Sequence, residues 1–377
     1  MFDFIKKYHL YLLALVLYVP FIFLGYGSDM DTYRVLWMGQ RFMTLLDYVP
    51  SREPGFLVFE TVTNLLNLIG GSLLTNLGVL SMSLVVIYCF KQILEHYQVP
   101  NPSLLIMILM VQPYYWVNST CTMDYLFALG FSFLAFTLLL KGKGIFGGIA
   151  IGLAVGSRLS AGLTCAGILL FLFITLPQLR KQMIIAGFVA AVVGATCYLP
   201  SADFVGWNLR FLHPTVGDAE YWSFYLRFGR LVYKSITFWS IPVVVGLVAA
   251  AALGLGRLKA ILRSPQAGLF IFSALMVAAY EAFYAYIPTE PTYLLPSVPF
   301  MLILLGLILK DKRWMLPVLV GLMLLSNFVA LEFARPNVVN KATSAEYGLW
   351  LVPGHLVEDV QARSDMAASH FHFTPTE

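Results

Sequence analysis

The chain predicts an all-α, polytopic membrane protein with about eleven transmembrane helices, and three observations carry that prediction. Of its 377 residues, 59% are hydrophobic and 12% charged, with a mean hydropathy of +0.79; a soluble chain carries roughly twice that charge. Runs rich in Leu, Val and Phe recur at about 17–22 residues, the length that spans a bilayer core. The runs are continuous rather than alternating, which excludes the strands of a membrane barrel.

The apolar segments fall near 8–25, 73–90, 103–117, 125–140, 144–157, 160–176, 182–199, 238–255, 267–287, 293–309 and 314–331. An odd number places the termini on opposite sides, and the distribution of basic residues decides which. With the N-terminus inside, the inner turns hold thirteen Lys and Arg, from Lys6 to Arg313, against Asp3, Glu95 and Asp311. The predicted topology is therefore N-in/C-out. Residues 144–176 test it: Lys141 and Lys143 before them and Arg180 and Lys181 after them all belong inside. The run must turn back at the outer side, and the small and polar residues of "GSRLSAG" supply that turn, with Arg158 at its apex.

Between the first two spans lies a stretch of opposite character. From Gly27 to Glu60 the chain carries Asp29, Asp31, Asp47, Glu53 and Glu60 with Arg34, Arg41 and Arg52. Asp31, Arg34 and Arg41 share one helical face, and Glu60, Asn64 and Asn67 another. Residues 26–72 thus read as a first outer loop holding two juxtamembrane helices, over 31–46 and 56–72. A second large outer loop covers 200–237. Residues 1–335 form one transmembrane module, and 336–377 an extracytoplasmic tail, with disorder expected after about Asp365.

Charges at an outer membrane face are either solvated or serve a site. Asp29 and Asp31 stand two apart at the mouth of the first span, where a carboxylate can take a proton from an acceptor hydroxyl. Arginines beside them can hold phosphate oxygens through paired hydrogen bonds. Asp124 opens the fourth span, as a ligand contact or as a helix cap; Arg158 meets the headgroup plane, as a phosphate contact or a snorkelling anchor. Glu281 lies inside a span, where acids default to function, and Tyr280, Tyr284 and Tyr286 around it suit either a sugar or an aromatic belt. In the 200–237 loop, Arg227, Arg230 and Lys234 share a face behind Asp203, His213, Asp218 and Glu220.

Other classes are excluded. Four dispersed cysteines give neither a disulfide framework nor zinc spacing. The "HFHF" of the tail is too sparse for a metal site, and "NST" at Asn118 hugs the membrane. No Gly-rich nucleotide loop is present, which argues against an ATP-driven pump or a nucleotide-sugar enzyme.

"GSDMDTYR" followed by "YVPSREPGFLVFE" resembles the first outer loop of the GT-C superfamily, integral-membrane glycosyltransferases that use polyprenyl-phosphate sugars. The resemblance is to protein mannosyltransferase-like and aminoarabinose-transferase-like members, where an acidic motif closes the first helix and a basic-Pro-Gly element precedes the second juxtamembrane helix. Asp29 stands four before Tyr33 as that motif asks, but Met30 fills its Glu position and Asp31 supplies a second acid. Arg52, Pro54, Gly55 and Glu60 match the later element. Asp124 in "NSTCTMDYLF", Arg158 in "GLAVGSRLSAGL" and Tyr293 in "PTYLLPSVPF" match further pieces, with Thr292 replacing the usual Arg.

The resemblance implies transfer of a sugar from a polyprenyl-phosphate donor to an acceptor hydroxyl at the outer face of the plasma membrane, with inversion. Asp29 or Asp31 would be the base, and Arg158 and Arg52 would bind the donor phosphate. Arg34, Arg41, Glu60, Asp124, Glu281 and Tyr293 would line the substrate. Expected partners are the lipid-linked sugar, a glycan, lipid or protein acceptor and the bilayer, with no nucleic acid. No cofactor is required, though two carboxylates would suit Mg or Mn between Asp29 and Asp31. The alternatives are a polysaccharide polymerase and a transporter or flippase of lipid-linked sugars; alternating access needs a central site, whereas these charges crowd one face.

Overall fold

The computed structural model describes residues 2–45, 48–208, 222–334 and 347–368. Asp47, His213, Asp218, Glu220 and the "HFHF" motif lie outside the described residues. The architecture is helical, as expected, and each predicted apolar segment holds an apolar helix. Among the described residues, five helices are long and apolar enough to cross a membrane: Leu57–His96, Pro177–Phe204, Ile241–Leu262, Ala267–Tyr286 and Pro291–Ile308. Six shorter apolar helices occupy the other segments.

Two compact units divide the chain, one comprising Met1–Ile93, Asn118–Thr215 and Asp359–Glu377, the other Leu94–Val117 and Val216–Glu358. The first begins with α1 (Phe2–Tyr18), which a 3-10 turn containing Pro20 ends. Next come α2 (Met30–Leu45) and α3 (Leu57–His96). The latter breaks at Gly70 and Gly71, and Gly71 takes φ 57°, a value a side chain disfavours. That break separates a polar-striped first part from the apolar run after it, so 57–69 forms the second helix expected in the outer loop. Asn64 locks the pair, donating to the Val35 carbonyl at 3.2 Å and to the Glu60 carbonyl at 2.8 Å.

The second unit contributes α4 (Pro102–Val111), and α5 (Pro113–Asn118) runs from it into the first. Then follow α6 (Tyr125–Leu140), α7 (Gly144–Ser157), α8 (Ala161–Thr175) and α9 (Arg180–Phe204) of the first unit. Glycines 144, 148, 152 and 156 recur every fourth residue on α7, presenting bare backbone to α9. A Cβ on Gly148 would lie 2.6 Å from the Ala186 carbonyl oxygen, and one on Gly152 2.5 Å from Val193 Cβ. Close approach of this kind lets helices pack where lipid removes the hydrophobic drive. Tyr198 of α9 adds a hydrogen bond to the Val155 carbonyl at 2.7 Å. The α7 stripe ends at Gly156, two residues before Arg158.

In the second unit, α10 (Phe224–Trp239) is followed by α11 (Ile241–Gly254), α12 (Leu258–Leu262), α13 (Ala267–Tyr286), α14 (Val298–Ile308) and α15 (Met315–Ser326). Asn327 donates from Nδ2 to the carbonyls of Val111 (2.7 Å) and Met323 (2.9 Å).

Residues 336–377, expected as a tail, are in part built structure. Strand β1 (Val329–Ala334) pairs antiparallel with β2 (Tyr347–Pro353), Val329 opposite Pro353, with an irregularity between Glu332 and Ala334. Helix α16 (His355–Ala368) follows, and the residues after it lie outside the described residues. The alternation of "YGLWLVP" is short enough to be masked by a hydropathy scan tuned to helices.

Candidate functional site

In the first unit the start of α2, the loop before α3, the start of α6 and the α7–α8 turn bring five charged side chains together. Asp31 leads α2, one of its oxygens, Oδ1, receiving Arg34 at 3.0 Å and the other, Oδ2, receiving Arg52. Arg52 also reaches Asp124 Oδ2 at 3.6 Å, and Arg158 meets the same oxygen at 2.7 Å. Asp124 is wholly buried, and among the described residues neither its Oδ1 nor Nε of Arg52 has a hydrogen-bond partner. The two guanidiniums are further held by aromatic faces: Arg52 lies 4.4 Å from the Phe56 centroid, and Arg158 4.0 Å from that of Tyr125. Cation–π contact of this sort contributes about 0.5–2 kcal/mol, more as water is removed.

Asp124 occupies the N-cap position of α6 yet makes no capping hydrogen bond; its carboxylate goes to the arginines instead. Arg158 does not extend outward as an anchor would, since it turns in to Asp124. Asp29 stands at the rim, exposed at its side chain, with Oδ1 accepting from the Asp31 amide at 2.8 Å. Desolvation by the surrounding protein holds its carboxyl above the ordinary aspartate range, reinforced by the charges of Asp31 and Asp124; the Asp31 amide and Arg52 pull the other way.

Neither a protein-family model nor a characterised protein sequence matches the chain. Two solved structures match its fold. Both are of ArnT from Cupriavidus metallidurans: one bound to undecaprenyl phosphate, at TM-score 0.59 and 15% identity over 82% of this chain and 61% of that one, and one in the apo state, at 0.60 and 15% over 83% and 62%. The fold is that of ArnT. This meets, at the level of fold, the resemblance drawn from the motifs. The chain spans about three-fifths of the length of the ArnT chain.

The other candidates have partners of their own. Glu60 is buried and ties up its own loop: Oε1 accepts from the Ser51 amide (2.9 Å) and hydroxyl (2.5 Å), Oε2 from the Tyr48 hydroxyl (2.7 Å). Glu60 also lines a largely apolar cavity of about 690 Å³ between α2 and the first part of α3, with Trp37, Phe42, Asn67 and Leu68. Arg41 lies 5.9 Å from the Trp37 centroid, one turn away on α2. Glu281, partly buried on α13, and Tyr293, whose ring lies 6.4 Å from that of Phe283, belong to the second unit. There Arg230 covers the Trp222 ring at 4.2 Å and donates to the Pro288 carbonyl, and Arg227 faces Tyr286.

Among the described residues no three of His, Cys, Asp and Glu converge on a metal position. Between Asp29 and Asp31 the donors are two carboxylates, one already neutralised by Arg34 and Arg52. Two carboxylates completed by waters and a substrate phosphate are the kind of set that holds Mg, so Asp29 and Asp31 would be the residues to hold a divalent ion, with Arg34 and Arg52 competing for Asp31. The residues missed in the sequence are the supports: Phe56 and Tyr125 under the guanidiniums, and Tyr48 and Ser51 on Glu60. Tyr125, adjacent to Asp124, was the one with a local signal.

Proposed function

We propose that the protein is a membrane glycosyltransferase that moves a sugar from a polyprenyl-phosphate donor to an acceptor hydroxyl at the outer face of the plasma membrane. The observation that carries this reading is the convergence of Arg52 and Arg158 on a single oxygen of buried Asp124, beside a carboxylate that keeps its proton affinity. The chain's ArnT fold and the undecaprenyl phosphate bound in one ArnT structure support the lipid side of the reading.

Asp29, rather than Asp31, is the base. Two guanidiniums already occupy the Asp31 oxygens, whereas Asp29 stands at the rim and desolvation raises its proton affinity. Asp29 takes the acceptor proton as the acceptor oxygen bonds to the anomeric carbon. The bond from that carbon to the phosphate oxygen breaks, and the polyprenyl phosphate leaves with the electron pair. Negative charge grows on the phosphate, where preorganised guanidinium donors stabilise it. A single displacement of this kind inverts the anomeric centre. The same geometry serves a glycan, lipid or protein hydroxyl, and a polymerase would differ only in using a growing chain.

The test uses purified protein in lipid nanodiscs with a panel of polyprenyl-phosphate sugars, reading released polyprenyl phosphate. Asp29→Asn is expected to abolish release while donor binding persists; full activity there with loss in Asp31→Asn would move the base to Asp31. No turnover with any donor, together with specific binding of a nucleotide sugar, would overturn the reading. In the native protein, kcat/KM should rise with pH along an acid limb lying above the ordinary aspartate range. The sign for stability is opposite. A carboxyl with a raised folded pKa stabilises the fold below its ordinary pKa and loses that contribution as pH climbs through the raised value. Asp29→Asn should therefore melt higher than the native protein at neutral pH, with the gap closing on acidification.

A further inference from the structure

The last described helix sends a buried ion pair into the first unit. Asp359 and Arg363 stand four apart on α16, on one helical face, with Arg363 Nη2 2.7 Å from Asp359 Oδ2 and side-chain exposures of only 4% and 1%. Neighbours Glu358, Gln361 and Asp365 face solvent. A buried pair contributes little net stability, because desolvating two charges offsets their attraction, and apolar residues would often pack there as well or better. Its outward hydrogen bonds give the pair a different use.

Asp359 Oδ1 accepts from the Ser28 hydroxyl at 2.8 Å, one residue before Asp29. Arg363 donates from Nη1 to the Thr120 carbonyl at 3.0 Å and the Phe21 carbonyl at 3.3 Å, and from Nη2 to the Thr120 hydroxyl at 3.3 Å. Thr120 opens the short stretch that ends at Asp124. One turn of α16 therefore grips both segments from which the two acids project. Those segments are also joined directly, by the Thr122 amide to the Tyr26 carbonyl at 2.6 Å and by the Thr32 hydroxyl to the Thr122 carbonyl at 2.8 Å.

We infer that Asp359 and Arg363 are positioning residues, which fix Ser28 and Thr120 and thereby hold Asp29 in register with the Arg52–Asp124–Arg158 cluster. The catalytic consequence rests on the transferase reading; the clamp itself does not. Ser28→Ala deletes one hydroxyl, Asp359→Asn removes the charge, and Arg363→Lys keeps a charge but loses the fork. In the full chain in nanodiscs, amide hydrogen exchange should quicken in peptides covering 26–31 and 119–124 while α7 and α9 are unchanged. A misplacement of about 1 Å can cost about a hundred-fold in rate. On that scale kcat should fall about ten-fold in Ser28→Ala and about a hundred-fold in Asp359→Asn, with donor KM little changed and the acid limb displaced. Arg363→Lys should recover part of what Arg363→Met loses.

Unchanged exchange in both segments overturns the clamp, as does a lowered melting temperature with native kcat, KM and pH profile. If Asp359→Asn fails to fold, Ser28→Ala decides alone. If the native protein turns over no donor, the transferase reading falls and the exchange comparison still judges the clamp.

Discussion

Glu60 and Asp124 are both buried carboxylates of the first unit, and they are built in opposite ways. Glu60 is surrounded by neutral donors, two on one oxygen and one on the other, all from residues 48–51 nearby in sequence. Asp124 has two guanidiniums on one oxygen and nothing on the other, and the arginines come from residues 52 and 158. Neutral donors from its own loop take up most of the Glu60 acceptor capacity. An ionic cluster with an unsatisfied buried valence carries a standing cost of about 1–3 kcal/mol, which a protein retains where partners are to be exchanged. The first arrangement is closed within one loop; the second joins segments far apart in the chain and, on the proposed function, brings two guanidiniums to the donor phosphate.

Removing Asp124 should break the contrast most severely. Asp124→Ala leaves Arg52 and Arg158 facing each other without their shared counter-ion, and stripping one partner from a buried pair costs about 3–5 kcal/mol. Folded yield and transfer should both collapse, as read by detergent melting and donor turnover. Asp124→Ala combined with Arg158→Met should regain folded yield without regaining transfer. Native melting and turnover in Asp124→Ala would remove the distinction between the two carboxylates.

Arg158 comes next. Charge-assisted hydrogen bonds contribute roughly 1.5–3 kcal/mol, so Arg158→Ala should lower transfer about ten- to hundred-fold. Arg158→Lys should lie between, because an ammonium lacks the planar fork and stacks less well on Tyr125. Normal turnover by Arg158→Ala, in detergent and in bilayers, would make Arg158 a structural counter-ion of Asp124 and nothing more.

How much of this the sequence announces depends on distance along the chain. Apolar runs are local, so each of the eleven segments was legible, and so was the α7–α8 turn, because basic residues bracket it. The break at Gly70 and Gly71 was legible as a change from striped to uniformly apolar helix. Asp29, Asp31, Arg52, Asp124 and Arg158 were each singled out, but their joining through Asp124 is a tertiary fact with no local trace. Glu60 was singled out by its fit to a family motif, whereas its hydrogen bonds to Tyr48 and Ser51 had no local trace. The β1–β2 ribbon and the burial of Arg363 were invisible for the same physical reason. A polar helix such as α16 reads as a solvated tail unless its partners, more than two hundred residues away, are known.

Glu60→Gln sharpens the comparison from the other side. The amide oxygen can still accept from Ser51, but its NH2 cannot accept from Tyr48, whose hydroxyl is left with only the long contact to Ser201 Oγ at 3.5 Å, a loss of about 1–3 kcal/mol. Melting should drop accordingly, while turnover per folded molecule stays close to native. A loss of turnover as large as that of Arg158→Ala, at unchanged stability, would bring Glu60 into the reacting site.

The smallest effect is expected at Arg34, the one exposed arm of the ionic cluster. Its side chain is 56% exposed and meets Asp31 at 3.0 Å across one helical turn. Pairs of that kind contribute about 0–1 kcal/mol, and at physiological salt the field of an exposed charge fades within about 8 Å. Asp31 keeps Arg52 when Arg34 is removed. Arg34→Ala should therefore leave melting almost unmoved and raise donor KM only modestly, with the rise disappearing as salt is added. Arg158→Ala, by contrast, should lose activity at every salt concentration, because its partners are buried where ions do not screen. If Arg34→Ala matched Arg158→Ala in size and in salt independence, Arg34 would be a direct phosphate ligand. Burial would then no longer separate the arms of the cluster that bind from those that merely attract.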